Sequence, residues 1–394
     1  MYIRKLIILI FCLMHILALN AQQLAVYENE SKIIKADEQS YNLYLNGKWQ
    51  RLYDYGIGQL EKGIDFPYLR MRTGYAALYL GKYASSLHQY KKVYRNNKKN
   101  TDALYYIYLN ELYLNNSIAA RYYASKLSDS TRKLLKVKKL QLSEIHSEIS
   151  YKKPSSDLRG DGQYYRLGLN AYLGLRLNLE LNCAFFNQTI NEENLIGVTD
   201  NQNIQIAQQE LYGKLQFALN GNTSLIGGFH YLYTPFNNFT YNNTIAFGGI
   251  GYVRPYYSIK GIYHHGNLSD SSYNQLDLVL TTYPLGKPTL YTISKASYGD
   301  DFVFAQIAGC RIMPKVWLEA NTTLGNYETW LDNDNLYVYN DIDTKTFSVG
   351  FGSYLEFLKQ GVFSINYTLT QKQLFYTSTD FNQHSITGGI LWKL

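Results

Sequence analysis

The sequence predicts an α + β protein of two domains: an N-terminal helical-repeat solenoid, then a C-terminal transmembrane antiparallel β-barrel. Three observations carry this reading. The apolar spacing changes from helical to strictly alternating near residues 140–160. Charge and glycine redistribute at the same place. Residues 22–158 hold 22 Lys and Arg against 13 Asp and Glu, whereas residues 159–394 hold 14 against 18, and all but six of the 29 glycines follow residue 150. An export signal precedes both parts. The chain of 394 residues is 15% aromatic, with 40 tyrosines, and only 18% charged, which excludes a disordered chain. A net charge of +7 over this length is too dilute for a cationic nucleic-acid binder, so no nucleic-acid partner is expected. Three cysteines exclude a disulfide scaffold.

Residues 1–21 read as a signal peptide. Arg4 and Lys5 form a basic start, Leu6 to Leu19 is a run of 14 residues without a charge, and Ala21 supplies the small residue at the cut. The run is shorter than the roughly 20 residues a spanning helix needs, and Cys12 leaves with it.

Residues 22–139 repeat with a period of 34. Gly47-Lys48-Trp49 and Gly81-Lys82-Tyr83 are one period apart, and Asn115-Asn116-Ser117 lies another period on. In the middle copy Gly74 and Ala77 are small enough for two antiparallel helices to approach, and Tyr83, Leu87 and Tyr90 form the stripe that seals them. Pro67 opens its first helix, where a missing N–H is harmless. This pattern resembles the tetratricopeptide (TPR) repeat, although Arg70 and Lys98 stand where that consensus has tryptophan and proline. Gly47, Trp49, Gly74, Gly81, Tyr83, Leu87 and Tyr90 are its expected packing positions. The stack is expected to be a periplasmic protein-interaction module.

From residue 140 onward the pattern is that of long strands. Leu175, Leu177, Leu179 and Leu181 alternate with Arg176, Asn178, Glu180 and Asn182, and Phe363, Ile365, Tyr367 and Leu369 alternate with polar residues. Alternating segments of this length, apolar toward lipid and polar toward the lumen, are the mark of an outer-membrane barrel. The barrel must close, because a lipid-facing edge would leave backbone groups unpaired. Short breaks at Gly174, 220–222, 254–255, 284–287, 313–314 and 358–361 interleave with longer polar breaks at 153–162, 189–202, 235–243, 266–272, 327–343 and 375–383, with a short exception at 298–301. Short turns belong to the periplasm and long loops to the outside. The count from residue 163 is thirteen. Both chain ends on the periplasmic side require an even number, so residues 140–151 supply a fourteenth strand; twelve is the alternative.

The chain closes on Thr387, Gly389, Trp392 and Leu394, a polar-x-Gly-x-x-aromatic-x-hydrophobic pattern. It resembles the terminal signal read by the barrel-assembly machinery, which that resemblance makes a biogenesis partner. With the Gly160-Asp161-Gly162 opening before an aromatic strand, the mature chain resembles the TPR-containing YaiO-type barrels of the Bacteroidota. The resemblance implies residence in the outer membrane of a Gram-negative bacterium, in contact with its lipid.

No residue set reads as catalytic, and no cofactor or metal is expected. His264-His265 followed by Ser269 does not put imidazole and hydroxyl side by side, and both histidines read as interfacial. His230 reads as a hydrogen-bonded wall residue. Asp332-Asn333-Asp334-Asn335 with Asp341 and Asp343 lacks the glycine and distal glutamate of a calcium loop, and reads as a solvated acidic loop. Arg166, Arg176, Glu180, Glu210, Lys214, Lys260, Asp277, Glu319 and Glu356 are expected to face the lumen, as a salt-bridged plug or a hydrated pore. Lys91, Lys92, Arg95, Lys98 and Lys99 form a basic patch suited to an acidic periplasmic protein or an anionic polymer. Arg132, Lys133, Lys136, Lys138 and Lys139 read as facing anionic headgroups. Two functions stay open: a non-enzymatic scaffold or surface protein, and an exporter or porin passing a polysaccharide or other polymer.

Overall fold

The computed structural model describes residues 30–191, 204–236, 239–268, 271–375 and 377–394. The export segment 1–21 and Ser269 lie outside these residues. The chain divides into two compact units, Met1–Asn110 and Glu111–Leu394.

Helices α1 (30–45), α2 (Trp49–Glu61), α3 (Pro67–Tyr79) and α4 (Tyr83–Asn96) belong to the first unit, and α5 (Thr101–Tyr113) begins in it. Glycine sets how closely α2, α3 and α4 approach. A Cβ on Gly56 would stand 2.0 Å from Thr73 of α3, and one on Gly74 would stand 2.9 Å from the Tyr90 ring of α4. Leu52, Leu69, Ala76, Leu87, Tyr90 and Ile107 are buried, and Tyr90 stacks on Tyr106 with ring centroids 4.7 Å apart. Trp49 packs among Tyr44, Tyr75 and Tyr79.

The 34-residue period has a backbone cause. Gly47, Gly81 and Asn115 sit at φ of 60°, 70° and 61°. Each turn makes the same two bonds. Gly81 N–H donates to Leu78 O and Lys82 N–H to Ala77 O; Gly47 and Lys48 repeat this on Tyr44 and Leu43, and Asn115 and Asn116 on Leu112 and Glu111. This pair of bonds closes a helix on a left-handed residue, which glycine adopts freely and asparagine tolerates.

The second unit adds α6 (Ser117–Ala124), α7 (Asp129–Leu134) and fourteen strands. These are β1 (Gln141–Pro154), β2 (Arg159–Tyr172), β3 (Leu177–Ile190), β4 (Ile204–Ala218), β5 (Thr223–Phe236), β6 (Phe239–Val253) and β7 (Tyr257–Leu268), followed by β8 (Ser271–Thr282), β9 (Leu290–Tyr298), β10 (Phe302–Met313), β11 (Val316–Asp332), β12 (Tyr337–Phe357), β13 (Gly361–Gln373) and β14 (Asp380–Lys393). Every neighbour is antiparallel, and β14 pairs with β1 to close the barrel. The count is fourteen, and the strand that opens the barrel is the one expected before residue 163. The breaks expected at 235–243 and 266–272 are largely strand, because ladder pairing runs on to Phe236↔Phe239 and Leu268↔Ser271.

Outward side chains are apolar all round: Leu167, Phe185, Leu211, Ile250, Leu278, Phe351, Ile365 and Ile390 are each about half exposed. A continuous apolar belt on a sheet without edges is stable in lipid and not in water. At the short-turn end, α6 packs on the barrel. Arg121 donates to Gly174 O and Lys138 O and lies 3.7 Å over the Tyr172 ring, while Tyr123 fills the space a Cβ on Gly221 would take.

Candidate functional site

The longest strands, β11 and β12, do not stay in the wall. Pairing of β11 with β10 ends at Phe304↔Leu324, and pairing of β12 with β13 begins at Thr344↔Gln373. Gly325 makes the break, at φ +138°, where a Cβ would stand 2.6 Å from Phe302 O. Beyond it the two strands pair only with each other, Thr329↔Asn340 to Asp332↔Tyr337. Their hairpin turns on Asn333, Asp334 and Asn335, at φ of 49°, 58° and 66°. Asn and Asp are the non-glycine residues that most readily take this left-handed form. The acidic run expected as a solvated outer loop is therefore the tip of a hairpin folded into the lumen, with Asp334 and Asn335 buried.

Charge and packing both hold the hairpin there. Asp334 receives Lys214 of β4 at 3.2 Å and is also paired with Lys260 of β7; Lys214 in turn reaches Glu180 at 2.8 Å. Lys295 of β9 joins Asp332 at 3.1 Å and Asp277 at 3.0 Å, and Asp277 holds His264 at 3.1 Å. Backbone groups of the hairpin are met by side chains of the wall. Gln275 donates to Leu331 O (2.7 Å) and accepts from Leu331 N–H (2.9 Å), and Tyr212 donates to Asp334 O. His230 Nδ1 is 2.6 Å from Asn335 O, and a carbonyl only accepts, so that nitrogen carries the proton. Three apolar clusters complete the seat: Leu336 against Tyr212, Phe247 and Ile262; Leu331 against Leu232, Ile245 and Tyr273; and Trp330 with Tyr327 against Val303.

A cavity of about 800 Å³ remains inside the barrel beside the hairpin. Its lining includes uncharged hydrogen-bonding side chains, among them Ser150, Asn366, Thr368, Gln383 and Thr387, set among apolar ones such as Ile206, Ile293 and Ile307. Where the hairpin leaves the wall, Lys152, Lys345 and Lys372 line it with Asp341. Beside them Arg159 and Asp343 form a buried bidentate pair, with both bonds 2.7 Å.

Most of the charges expected in the lumen come together in this network. Arg166 reaches Glu148 (2.7 Å) and Tyr337 (2.8 Å), Glu210 lies 3.3 Å from His230, and Glu319 accepts from Tyr291 and Tyr354. Two belong to the short-turn end instead. Arg176 precedes β3, donates to Ala218 O and Leu219 O, and lies against Tyr122 and Phe217; Glu356 is the penultimate residue of β12. His264 is a correction: it is not interfacial but fully buried, because it is the register partner of Gln275, which holds the hairpin, and meets Asp277 on the same strand. His265 faces outward and meets Asn274 at 2.9 Å. The four aspartates of the acidic run, Asp332, Asp334, Asp341 and Asp343, hold lysine and arginine partners rather than forming a cup, and no group able to hold a metal ion occurs among the described residues.

The terminal pattern lies on the closing strand. Thr387 donates to Ser150, Ser364 Oγ would be 2.6 Å from a Cβ on Gly389, Trp392 lies 6.0 Å from Phe357, and Leu394 N–H donates to Ser143 O. In the first unit Arg95, Lys98 and Lys99 are exposed at the end of α4 and the turn after it, and Lys91 and Lys92 are half-buried on α4. Sequence reasoning missed Glu148, Lys152, Arg159, Lys295, Lys345 and Lys372. Each occupies the polar phase of an alternating strand, a signal it shares with the many polar residues of that phase that make no such contacts.

A closed fourteen-stranded barrel with an apolar belt and a polar, partly filled lumen defines an outer-membrane β-barrel protein. No family model matches the chain, and no curated protein matches it. Among solved structures it is similar to the CymD monoaromatic hydrocarbon channel, at 8% identity over 64% of this chain and 89% of that one, with a TM-score of 0.47. It is similar also to the Pseudomonas putida toluene transporter TodX (8% identity, 69% and 91% covered, TM-score 0.43). A third is the Acinetobacter baumannii outer membrane protein Omp33 (7%, 64% and 99%, TM-score 0.39). These are distant likenesses, and the functional reading rests on the chain's own residues.

Proposed function

We propose that the barrel is a passage for a small polar solute across the outer membrane, narrowed by the hairpin 325–343. One observation carries this reading: the cavity of about 800 Å³ left beside the hairpin, with hydroxyl and amide groups in its lining. A pocket of that size suits a small molecule, and hydroxyl and amide groups set among apolar side chains such as Ile206, Ile293 and Ile307 offer a polar solute hydrogen bonds in place of its water. A plain scaffold has no use for such a lining, and a polymer exporter is disfavoured by a hairpin that fills much of the lumen. The helical part is proposed as a TPR-like docking module and the whole as a relative of the YaiO-type barrels, supported by the thrice-repeated 34-residue turn. Its basic patch would take an acidic periplasmic protein or anionic polymer.

Single-channel recording in planar bilayers tests the passage. The intact protein should give small, well-defined steps, and replacing 328–342 by a short Gly-Ser turn should enlarge them several-fold. Absence of conductance from both forms, each correctly folded, would remove the reading.

A further inference from the structure

The ion pairs of the lumen are unevenly balanced. Deep in the barrel, Lys214 and Lys260 face Glu180 and Asp334, and Lys295 faces Asp277 and Asp332. Near the long-loop end the balance reverses. Lys345 and Lys372 are direct cross-strand partners on β12 and β13, both buried, and Lys152 of β1 acts on both. Among the described residues only Asp341 pairs with them directly, 2.7 Å from Lys372 and 3.6 Å from Lys345; Glu148 and Glu210 line the same cavity and act on Lys152 from farther off, while they sit against Arg166 and His230. Asp343 adds nothing, since Arg159 holds both its oxygens. Lys152 makes no ion pair among the described residues; its ammonium lies 4.9 Å over the Phe186 ring. Three lysines therefore gather at the wall of the cavity about one directly paired carboxylate.

Like charges opposite one another on a sheet repel, and buried cations need anionic partners. Such an arrangement is stable where an anion from outside completes it. Neutral donors stand around the cluster: Ser385 is the register partner of Lys152, and Gln383 pairs with Thr370 one dyad away. Gln188, Gln208, Gln383 and Ser385 line the same cavity.

We infer that Lys152, Lys345 and Lys372 form an anion-binding site at the outer end of the cavity, which receives a small polar solute by a carboxylate or phosphate group. This deepens the passage reading and rests on it for its role, but the site is testable without conduction. Ammonium groups supply the charge-assisted bonds to the anionic oxygens, and the serine and glutamine side chains meet the neutral remainder of the solute. The positive mouth would also raise the local concentration of anions.

Calorimetric titration of the full chain in neutral detergent with glucuronate, inorganic phosphate and glucose tests the site. Glucuronate or phosphate should bind about tenfold or more tightly than glucose, as one to two charge-assisted bonds require. Lys152→Gln should lose about tenfold, Lys152→Arg should keep the affinity, and Asp341→Asn should raise it by removing the competing carboxylate. Heat-modifiable migration verifies that each variant is folded. If both anions bind no better than glucose, or Lys152→Gln binds as the parent does, the site is overturned whether or not the barrel conducts. Lysine-dependent binding in a barrel that does not conduct overturns the passage and leaves the site standing.

Discussion

Asp334 and Lys214 are 120 positions apart in the chain and 3.2 Å apart in the lumen. Their meeting requires a hairpin to leave the barrel wall at Gly325 and turn on three left-handed residues. Both side chains are largely withdrawn from solvent, and Lys260 shares the same carboxylate.

Asp334→Asn should therefore loosen the hairpin. Lys214 keeps Glu180 but Lys260 loses its partner, and breaking a buried pair costs about 3 kcal/mol. The heat-modifiable transition should fall, and single-channel steps should become larger and noisier. A variant with unchanged transition and unchanged steps would show that the apolar clusters alone seat the hairpin.

Gly325→Val should act on the same element through the backbone. Its φ of +138° is poorly tolerated by a branched residue, and the added Cβ would meet Phe302 O. The expected outcome is a barrel that still assembles but whose residues 328–342 become cleavable by added protease, while the parent resists.

The closing strand makes a third prediction. β14 is hydrogen-bonded on both sides, to β13 and β1, with Trp392 next to its last residue and Leu394 just after it. Trp392→Ala with deletion of Leu394 should reduce the amount of folded barrel in the membrane more than any loop change does. Equal amounts of heat-modifiable protein from variant and parent would show that the terminal residues are not read during assembly.

The basic patch on α4 has a built-in reporter. Burial, and then Lys92, Arg70 and Arg95, hold the His88 imidazole below its usual range. A lowered pKa means that the folded protein prefers the neutral ring, so His88 should stay uncharged to a lower pH than a free histidine. A polyanion seated on the patch cancels the positive potential and should move the midpoint back upward, by an amount that shrinks as salt rises. Carbon-13 histidine NMR of the full chain with polyglutamate measures this, and His88→Gln identifies the signal. A midpoint indifferent to polyglutamate at low salt would mean that the patch is only a solvated face.

The repeated turns can be tested by exchange. Gly81→Val forces a branched side chain into the left-handed region and should cost the helical part about 1–2 kcal/mol. Asn115→Gly, at the equivalent turn, should be neutral or slightly stabilising. Thermal unfolding followed by circular dichroism separates the two; similar effects would mean that the turns are not equivalent.

The sequence by itself determined the parts of this protein that depend on neighbours along the chain. The change from helical to alternating spacing, the 34-residue period and the strand number are all local, because helix and strand periodicity and left-handed turns are set within a few residues. The alternation that sets Arg166, Glu210, Lys214 and Asp277 apart from their apolar neighbours is local in the same way. Only the tertiary structure decided what those charges do. The run Asp332 to Asn335 reads as a wet loop because acidic and amide residues are at home in water. The same residues are also those that turn a chain through left-handed φ, and spacing alone does not choose between the two. The choice was made by lysines from β4, β7 and β9, brought together by closure of the barrel around the hairpin, where the largely buried Asp334 and Lys295 need partners of opposite charge. Lys345 and Lys372 show the same limit. Each is an ordinary polar position in its own strand, and they become a site only when register sets them opposite one another beside a single carboxylate.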